Sequence, residues 1–204
     1  MTESKPPPEE VVDGRRARRQ RGRLAVTNAM IDLVFEGHTP PTADQVAARA
    51  GVSVASLFRY FDGLDDLREH AIERYFERFI HLLDVPDIGV GPLPVRIASL
   101  TAARVQLHET TGPMARLMRA RSVTVAQLGA TIRRLNATQA DQIRIHFDTE
   151  LTPLSPATRE DTVATVVTLT SFESWDGFRT DHGRSATQVS RAWARALERI
   201  LDPS

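Results

Sequence analysis

Apolar residues recur at helical spacing along almost the whole chain. Val26, Ala29, Met30, Leu33 and Val34 follow the i, i+3, i+4, i+7, i+8 pattern of an amphipathic helix, which predicts a first helix from about Arg16 to Glu36. Gly37 suits a left-handed stop, and Pro40-Pro41 prevents continuation. Thr42-Ala-Asp-Gln45 reads as a capping box, in which hydroxyl and amide side chains satisfy each other's orphan backbone N–H groups. It opens a second helix with Val46, Ala47 and Ala50 inward, ended by Gly51. Ser53 then caps a short third helix with Leu57, Phe58 and Phe61 as its buried side. After Asp62-Gly63, a fourth helix is predicted from about Leu64 to Leu83, with Ile72, Tyr75, Phe76, Phe79, Ile80 and Leu83 on one stripe.

From Asp84 to Pro94 the chain holds three Pro and two Gly and reads as a linker. Helices are then expected around 95–109, around Pro113–Met118 and around 122–148. Leu151 to Pro156 is a further break. Ser155-Pro156 fits an N-cap followed by proline at the first helical position, opening a long helix to about Asp181 that ends at Gly183. Ser185-Ala-Thr-Gln188 is a second capping box and starts a last helix to about Leu201. There is no strand alternation and no internal repeat. The expectation is an all-α protein of about nine helices. Residues 1–14, with Pro6-Pro7-Pro8, acids and few apolar groups, read as a disordered tail. Residues 15–63 form a first domain and 64–204 a larger helical one, with the fourth helix as connector.

Two short helices joined at Gly51, the second exposed and polar, make a helix-turn-helix, the shape that enters the major groove of DNA. Val54 and Ala55 are small enough to meet thymine methyls, and Ser56 to bond a base edge or phosphate. Arg59 shares that helix face, and the Tyr60 phenol would reach a phosphate. The rival reading is two packed helices of an ordinary bundle. Charge separates the two. The net charge is zero, yet residues 15–23 hold six Arg and no acid. Arg15, Arg16, Arg18 and Arg19 lead this arm, which puts a positive field beside the motif, where phosphate contacts need it.

Composition narrows the remainder. There is no cysteine, which excludes disulfides and thiolate chemistry. No apolar run approaches the roughly 20 residues of a membrane span. The N-terminus, MTESKPPPEE, lacks the apolar stretch of a secretion signal, so a cytoplasmic protein is expected. Of 26 basic residues only Lys5 is a lysine, a bias that points to GC-rich codons and a bacterial source. The six His residues (38, 70, 81, 108, 146, 182) fall in no metal pattern and read as solvated or capping groups. Gly89-Val-Gly91 follows no strand and is not a phosphate loop. No catalytic constellation, metal site or cofactor motif is expected, and so no enzyme.

From Gln45 to Leu67 the chain reads Gln-Val-Ala-x-x-Ala-Gly-Val-Ser-x-x-x-Leu-Phe-x-Tyr-Phe-x-x-Leu-x-x-Leu. This resembles the N-terminal signature of the TetR family of transcriptional regulators, densely over 42–67. Leu169–Leu201 resembles the family's last two helices more loosely. The resemblance implies a homodimer that binds a pseudo-palindromic operator. It also implies an unidentified small-molecule effector, bound in the C-terminal part, that weakens DNA binding. Thr42 and Tyr60 fall where the family contacts phosphate, and Ser53 to Arg59 fall on its recognition helix. Three positions depart from the pattern: Phe58 replaces the usual Tyr, Tyr60 the usual His, and Leu64 the usual phosphate-binding Lys.

For an effector, Phe147, Phe172 and Trp175 supply apolar bulk, and Thr138, Gln139 and Gln142 interrupt an apolar stripe with hydrogen-bonding groups. The same residues would serve equally as core or as an exposed face. For a dimer, Val163, Val166, Val167 and Thr170 form one stripe, and Val189, Trp193, Ala196 and Ile200 another, more apolar surface than one chain is expected to cover. The expected function is a ligand-responsive repressor. The alternatives are an activator or ligand-independent regulator, and a helical enzyme or scaffold that merely carries a helix-turn-helix.

Overall fold

The computed structural model describes residues 8–38 and 40–202, and for residues 8–13 and Arg15 it describes the backbone path. Among the described residues every regular element is helical. In chain order they are α1 (Pro8–Phe35), α2 (Ala43–Ala50), α3 (Val54–Tyr60), α4 (Leu64–Phe79), a 3-10 turn (Ile80–Leu83), α5 (Leu93–Ser122), α6 (Ala126–His146), α7 (Asp148–Leu151), α8 (Pro156–Leu169), α9 (Phe172–Thr180) and α10 (Ala186–Leu201). They group into two compact units, one ending at Arg78 and one starting at Phe79.

In the N-terminal unit, Val26, Ala29, Met30, Leu33 and Val34 are all buried, as their spacing predicts, and Ile31 joins them. Helix α1 starts earlier than expected. Pro8–Gly14 are helical rather than disordered, and residues 1–7 lie outside the described residues. Proline has the φ of a first helical position, and Glu9 and Glu10 then fall where negative charge favours the helix dipole. The other end of the unit also moves. Residues 64–78 belong with α1–α3, not with the C-terminal part. Leu67, Ala71 and Tyr75 are buried, the Tyr75 ring lies 6.4 Å from that of Phe35, and Arg23 donates to His70 Nε2 at 2.7 Å. Helix α4 tightens into the 3-10 turn at Ile80, which is 49% exposed instead of lying on the apolar stripe.

The C-terminal unit is built around α5. Two helices and a break were expected over 95–118, but α5 runs unbroken through Pro113. An internal proline costs roughly 3 kcal/mol. Tertiary contacts beyond it offset that: Arg116 pairs with Asp176 at 2.5 Å, Arg119 pairs with Glu173, and the Arg119 guanidinium lies 4.2 Å over the Phe172 ring. The opposite correction applies over 156–181. One long helix was expected, and the chain breaks at Thr170-Ser171. The Thr170 carbonyl accepts from His108 Nε2 at 3.0 Å, and the Ser171 hydroxyl caps α9 through the Ser174 N–H. Side-chain bonds, with no Pro or Gly, make this break.

Two apolar clusters fill the unit. Ile97, Leu100, Ile143, Phe147, Val166 and Leu197 centre the first, and Val105, Phe172, Trp175, Val189 and Trp193 form the second. This takes Val163, Val189 and Trp193 out of the expected dimer stripes. Val163 at 2% exposure and Val189 and Trp193 at 0% lie inside the chain's own core, with Val167 and Ile200 packed at its margin. Helix α10 turns Val189, Trp193, Leu197 and Leu201 inward, a set that one chain covers by itself.

Candidate nucleic-acid interface

The turn forms as its residues dictate. Both halves of the Thr42–Gln45 capping box are present. Gly51 takes φ 67°, a left-handed conformation that side chains disfavour, so that its N–H and that of Val52 return to the last carbonyls of α2. Ser53 caps α3 by accepting the Ser56 N–H at 3.1 Å. Leu57 and Phe61, both buried, fasten α3 to the core.

What α3 leaves outside is a narrow strip. Ser53, Ala55, Phe58 and Arg59 are exposed, and Val54, Ser56 and Tyr60 are half-buried. A small polar chain orders it: Ser53 Oγ donates to Ser56 Oγ at 3.0 Å, and Arg59 Nη2 donates to the same oxygen at 3.1 Å. The Arg59 guanidinium lies 5.7 Å from the Tyr60 ring centre. Arg59 is thus pre-positioned, but by neighbours weak enough to be exchanged for a base or a phosphate. Phe58, expected to be buried, is 48% exposed and belongs to this surface. Its signal was its register: Leu57 and Phe61, four apart, already share the inner face, which turns Phe58 outward.

Tyr60 links this strip to the arginine arm. A Cβ at Gly22 would stand 2.6 Å from the Tyr60 ring and hydroxyl, so the absence of a side chain at residue 22 lets the phenol lie on α1. Arg18 and Arg19 precede Gly22 by four and three residues and share its helix face. Arg16, Arg18, Arg19 and Arg21 are exposed, and the Arg15 side chain lies outside what is described. Arg23 differs from the others: it bonds His70 and stacks 4.8 Å over Phe61, a structural task. Thr42 is exposed at the start of α2, with its oxygen accepting the Gln45 N–H. Leu64 is half-buried at the start of α4.

The six residues named for an effector fall in different parts of the unit. Phe147 sits in the first apolar cluster, and Phe172 and Trp175 in the second. Thr138 is exposed and its hydroxyl returns to the Arg134 carbonyl. Gln142 faces the buried Arg104, whose Nη2 donates to its Oε1 at 2.6 Å. Gln139 is buried. Two of the six histidines are also not solvated. His108 donates to the Thr170 carbonyl, and burial pushes its pKa down to about 4. His146 donates from Nε2 to the Arg96 carbonyl at 2.8 Å and accepts the Gly89 N–H, and burial lowers its pKa too. Among the described residues no three metal-ligating side chains gather. No described helix is long and apolar enough to cross a membrane.

No protein-family model matches this chain, and no curated protein does. Solved structures do. A transcriptional regulator from Rhodococcus sp. Rha1 is 19% identical, with a TM-score of 0.66 over 89% of this chain and 96% of that one. A TetR-family transcriptional regulator from Streptomyces coelicolor is also 19% identical, with a TM-score of 0.71 over 89% of this chain and 80% of that one. At such identity the likeness is one of fold: the chain has the all-α fold seen in a TetR-family regulator.

Proposed function

We propose that this chain, with its TetR-type fold, is a bacterial, cytoplasmic, DNA-binding transcriptional regulator. It reads a pseudo-palindromic operator as a homodimer and acts as a repressor released by a small-molecule effector. The observation that carries the reading is the outer strip of α3. Ala55, Phe58 and Arg59 stand free of the core while Leu57 and Phe61 hold the helix from behind. The exposed Arg16, Arg18, Arg19 and Arg21 supply the positive field that non-specific DNA affinity needs.

With Val163, Val189 and Trp193 occupied inside the chain, the dimer must use other positions of α8 and α10. Ala164, Thr165, Thr168 and Leu169 line an open depression of about 430 Å³ on α8, and these small side chains allow close approach of a second copy. Two α3 helices about 34–36 Å apart would then meet successive turns of one DNA face. The test is a mobility shift with the DNA upstream of the protein's own gene. Specific binding whose affinity falls steeply between roughly 50 and 200 mM salt is expected. Absence of any preferred sequence across that DNA would defeat the proposal.

A further inference from the structure

Helix α5 buries a line of polar side chains at helical spacing: Thr101, Arg104, His108 and Thr111. Arg104 is the anomaly. Its side chain is completely buried, and among the described residues no carboxylate pairs with it. Nη1 donates to the Leu83 carbonyl at 3.1 Å and Nη2 to Gln142 Oε1 at 2.6 Å, while Nε has no partner. Both acceptors are neutral. A buried charge without a counter-charge is costly, and replacing such a group by an apolar one is often stabilising. Burial draws the Arg104 pKa down only to about 10, so at neutral pH the group keeps its proton and its charge.

The unpartnered Nε–H fixes the geometry that an acceptor would need. Nε–H and the adjacent Nη2–H lie on one edge of the guanidinium, the edge that a carboxylate grips with two parallel hydrogen bonds. Of the two nitrogens, Nη2 already donates one hydrogen to Gln142 Oε1, and Nε donates none. Gln142 is half-buried, whereas Arg104 is fully buried. Loss of Gln142 would leave the Leu83 carbonyl satisfied by Arg104 Nη1. One cation with no second cation bonded beside it balances one negative charge, which fits a carboxylate better than a phosphate dianion. The neighbours one turn away on α5, Leu100 and Leu107, are buried and apolar. Beyond His108 lie the rings of Phe172, Trp175 and Trp193, each about 6 Å from the imidazole.

We propose that Arg104 anchors a site for a small monocarboxylic acid with an apolar body, gripped side-on through Nε and Nη2 in place of the Gln142 amide oxygen. As an assignment of effector class, it rests on the ligand-responsive reading above. It also supplies a handle. Gln142 Nε2 donates to the Leu83 carbonyl at 3.0 Å, tying the 3-10 turn to α6, and that turn is the direct continuation of α4. An acid that displaces Gln142 breaks this tie.

The test uses the full-length protein and two matched pairs of probes: octanoate with octanamide, and phenylacetate with phenylacetamide. Binding is followed by tryptophan fluorescence, since Trp175 and Trp193 both border His108, and by calorimetry. At least one acid should bind at least tenfold more tightly than its amide. Arg104→Gln should bring the acid down to the level of the amide, and Arg104→Lys should keep part of the preference. If Arg104→Gln does not fold, Gln142→Ala serves instead: with the competing acceptor gone, the acid should bind several-fold more tightly. The proposal is overturned if neither acid binds the wild type, if acid and amide bind alike, if Arg104→Gln keeps the preference, or if Gln142→Ala fails to tighten acid binding. Operator binding is measured separately. DNA binding without acid binding would sink the site and leave the regulator standing. Acid binding by a protein that recognises no DNA would do the reverse.

Discussion

In the N-terminal unit Thr27 is the one polar side chain buried among the described residues, whereas the C-terminal unit buries Arg96, Thr101, Arg104, His108, Thr111, Gln139, His146 and Thr170. The first unit has a largely apolar inside, with the part-buried Arg23–His70 pair at its margin. The second carries hydrogen-bonding and charged groups through its centre, where Arg96 reaches Glu150 and His108 holds the α8–α9 break. Buried polar groups are worth their desolvation only when fully satisfied, so they constrain packing more sharply than apolar contacts do. The units should therefore respond differently to the same kind of insult.

The largest difference should come from placing charge in the C-terminal core. Trp193 is wholly buried, with Nε1 donating to Ser174 Oγ at 3.2 Å. Truncating a buried Trp costs about 3–5 kcal/mol, and an unpaired carboxylate adds more. Against a total stability of about 5–15 kcal/mol, Trp193→Glu should abolish the cooperative unfolding of this unit. Circular dichroism in a denaturant series would show helix content falling at low denaturant. A variant that unfolds like wild type, merely as a monomer, would return Trp193 to a subunit interface.

A pH titration probes the same contrast without mutation. Burial foremost, with Arg104 and Arg119 nearby and Glu173 opposing them, holds His108 near pKa 4 against an ordinary 6.5. The unfolded chain takes up this proton first. Stability is therefore full above about pH 6.5 and declines as pH falls towards 4, by about 3 kcal/mol at 1.36 kcal/mol per pKa unit. His108→Gln should flatten that segment of the stability–pH curve. An unchanged slope would mean that other groups set it.

Two glycines sharpen the comparison further. A Cβ at Gly112 would come within 2.9 Å of the Trp175 ring, and one at Gly22 within 2.6 Å of the Tyr60 ring. Trp175 is 4% exposed and held by Glu109 through its ring N–H at 2.9 Å, so it has nowhere to go. Gly112→Ala should lose about 1–3 kcal/mol through overpacking. Tyr60 is half-buried at the surface and swings away, while alanine gains about 1 kcal/mol of helix propensity over glycine. Gly22→Ala should melt near or above wild type and yet bind DNA less well, because the phenol has left its place. Equal destabilisation by both would erase the proposed difference between the units.

This also explains what was legible in the sequence. Capping boxes, the Gly51 turn and the Val26–Val34 stripe depend on local chemistry and spacing, and they appear in the structure as read. The continuous α5 does not depend on local chemistry, and the α8–α9 break depends on it only in part, through the Ser171 cap. The first persists through Pro113 because Arg116 and Arg119 reach α9, and the second forms because His108, 62 residues away, takes the Thr170 carbonyl. Val163, Val189 and Trp193 turned out to be core for a related reason: periodicity marks which side of a helix is apolar but not whether the same chain or a second one covers it. Arg104 had no sequence signal, since an arginine at helical spacing between apolar residues reads as solvated.

The smallest effects should come from the outer strip of α3, where nothing is packed. Phe58 and Arg59 are both exposed, so neither Phe58→Tyr nor Arg59→Ala should move the melting temperature appreciably. Their effects should appear on DNA alone. Arg59 is oriented through Ser56 and is replaceable at little conformational cost, so Arg59→Ala should lose about 1–3 kcal/mol at the operator if it reads a guanine, and relax preference at one position per half-site. A uniform loss over all sequences would make it a phosphate contact instead. Phe58→Tyr tests the departure at this position from the TetR pattern. A phenol there adds one hydrogen bond to a phosphate, and a net hydrogen bond contributes about 1 kcal/mol, roughly a fivefold gain in affinity. The gain should be the same on operator and on unrelated DNA, because phosphate contacts carry no sequence information. A loss specific to the operator would show instead that the bare Phe58 ring is itself read against an apolar base edge.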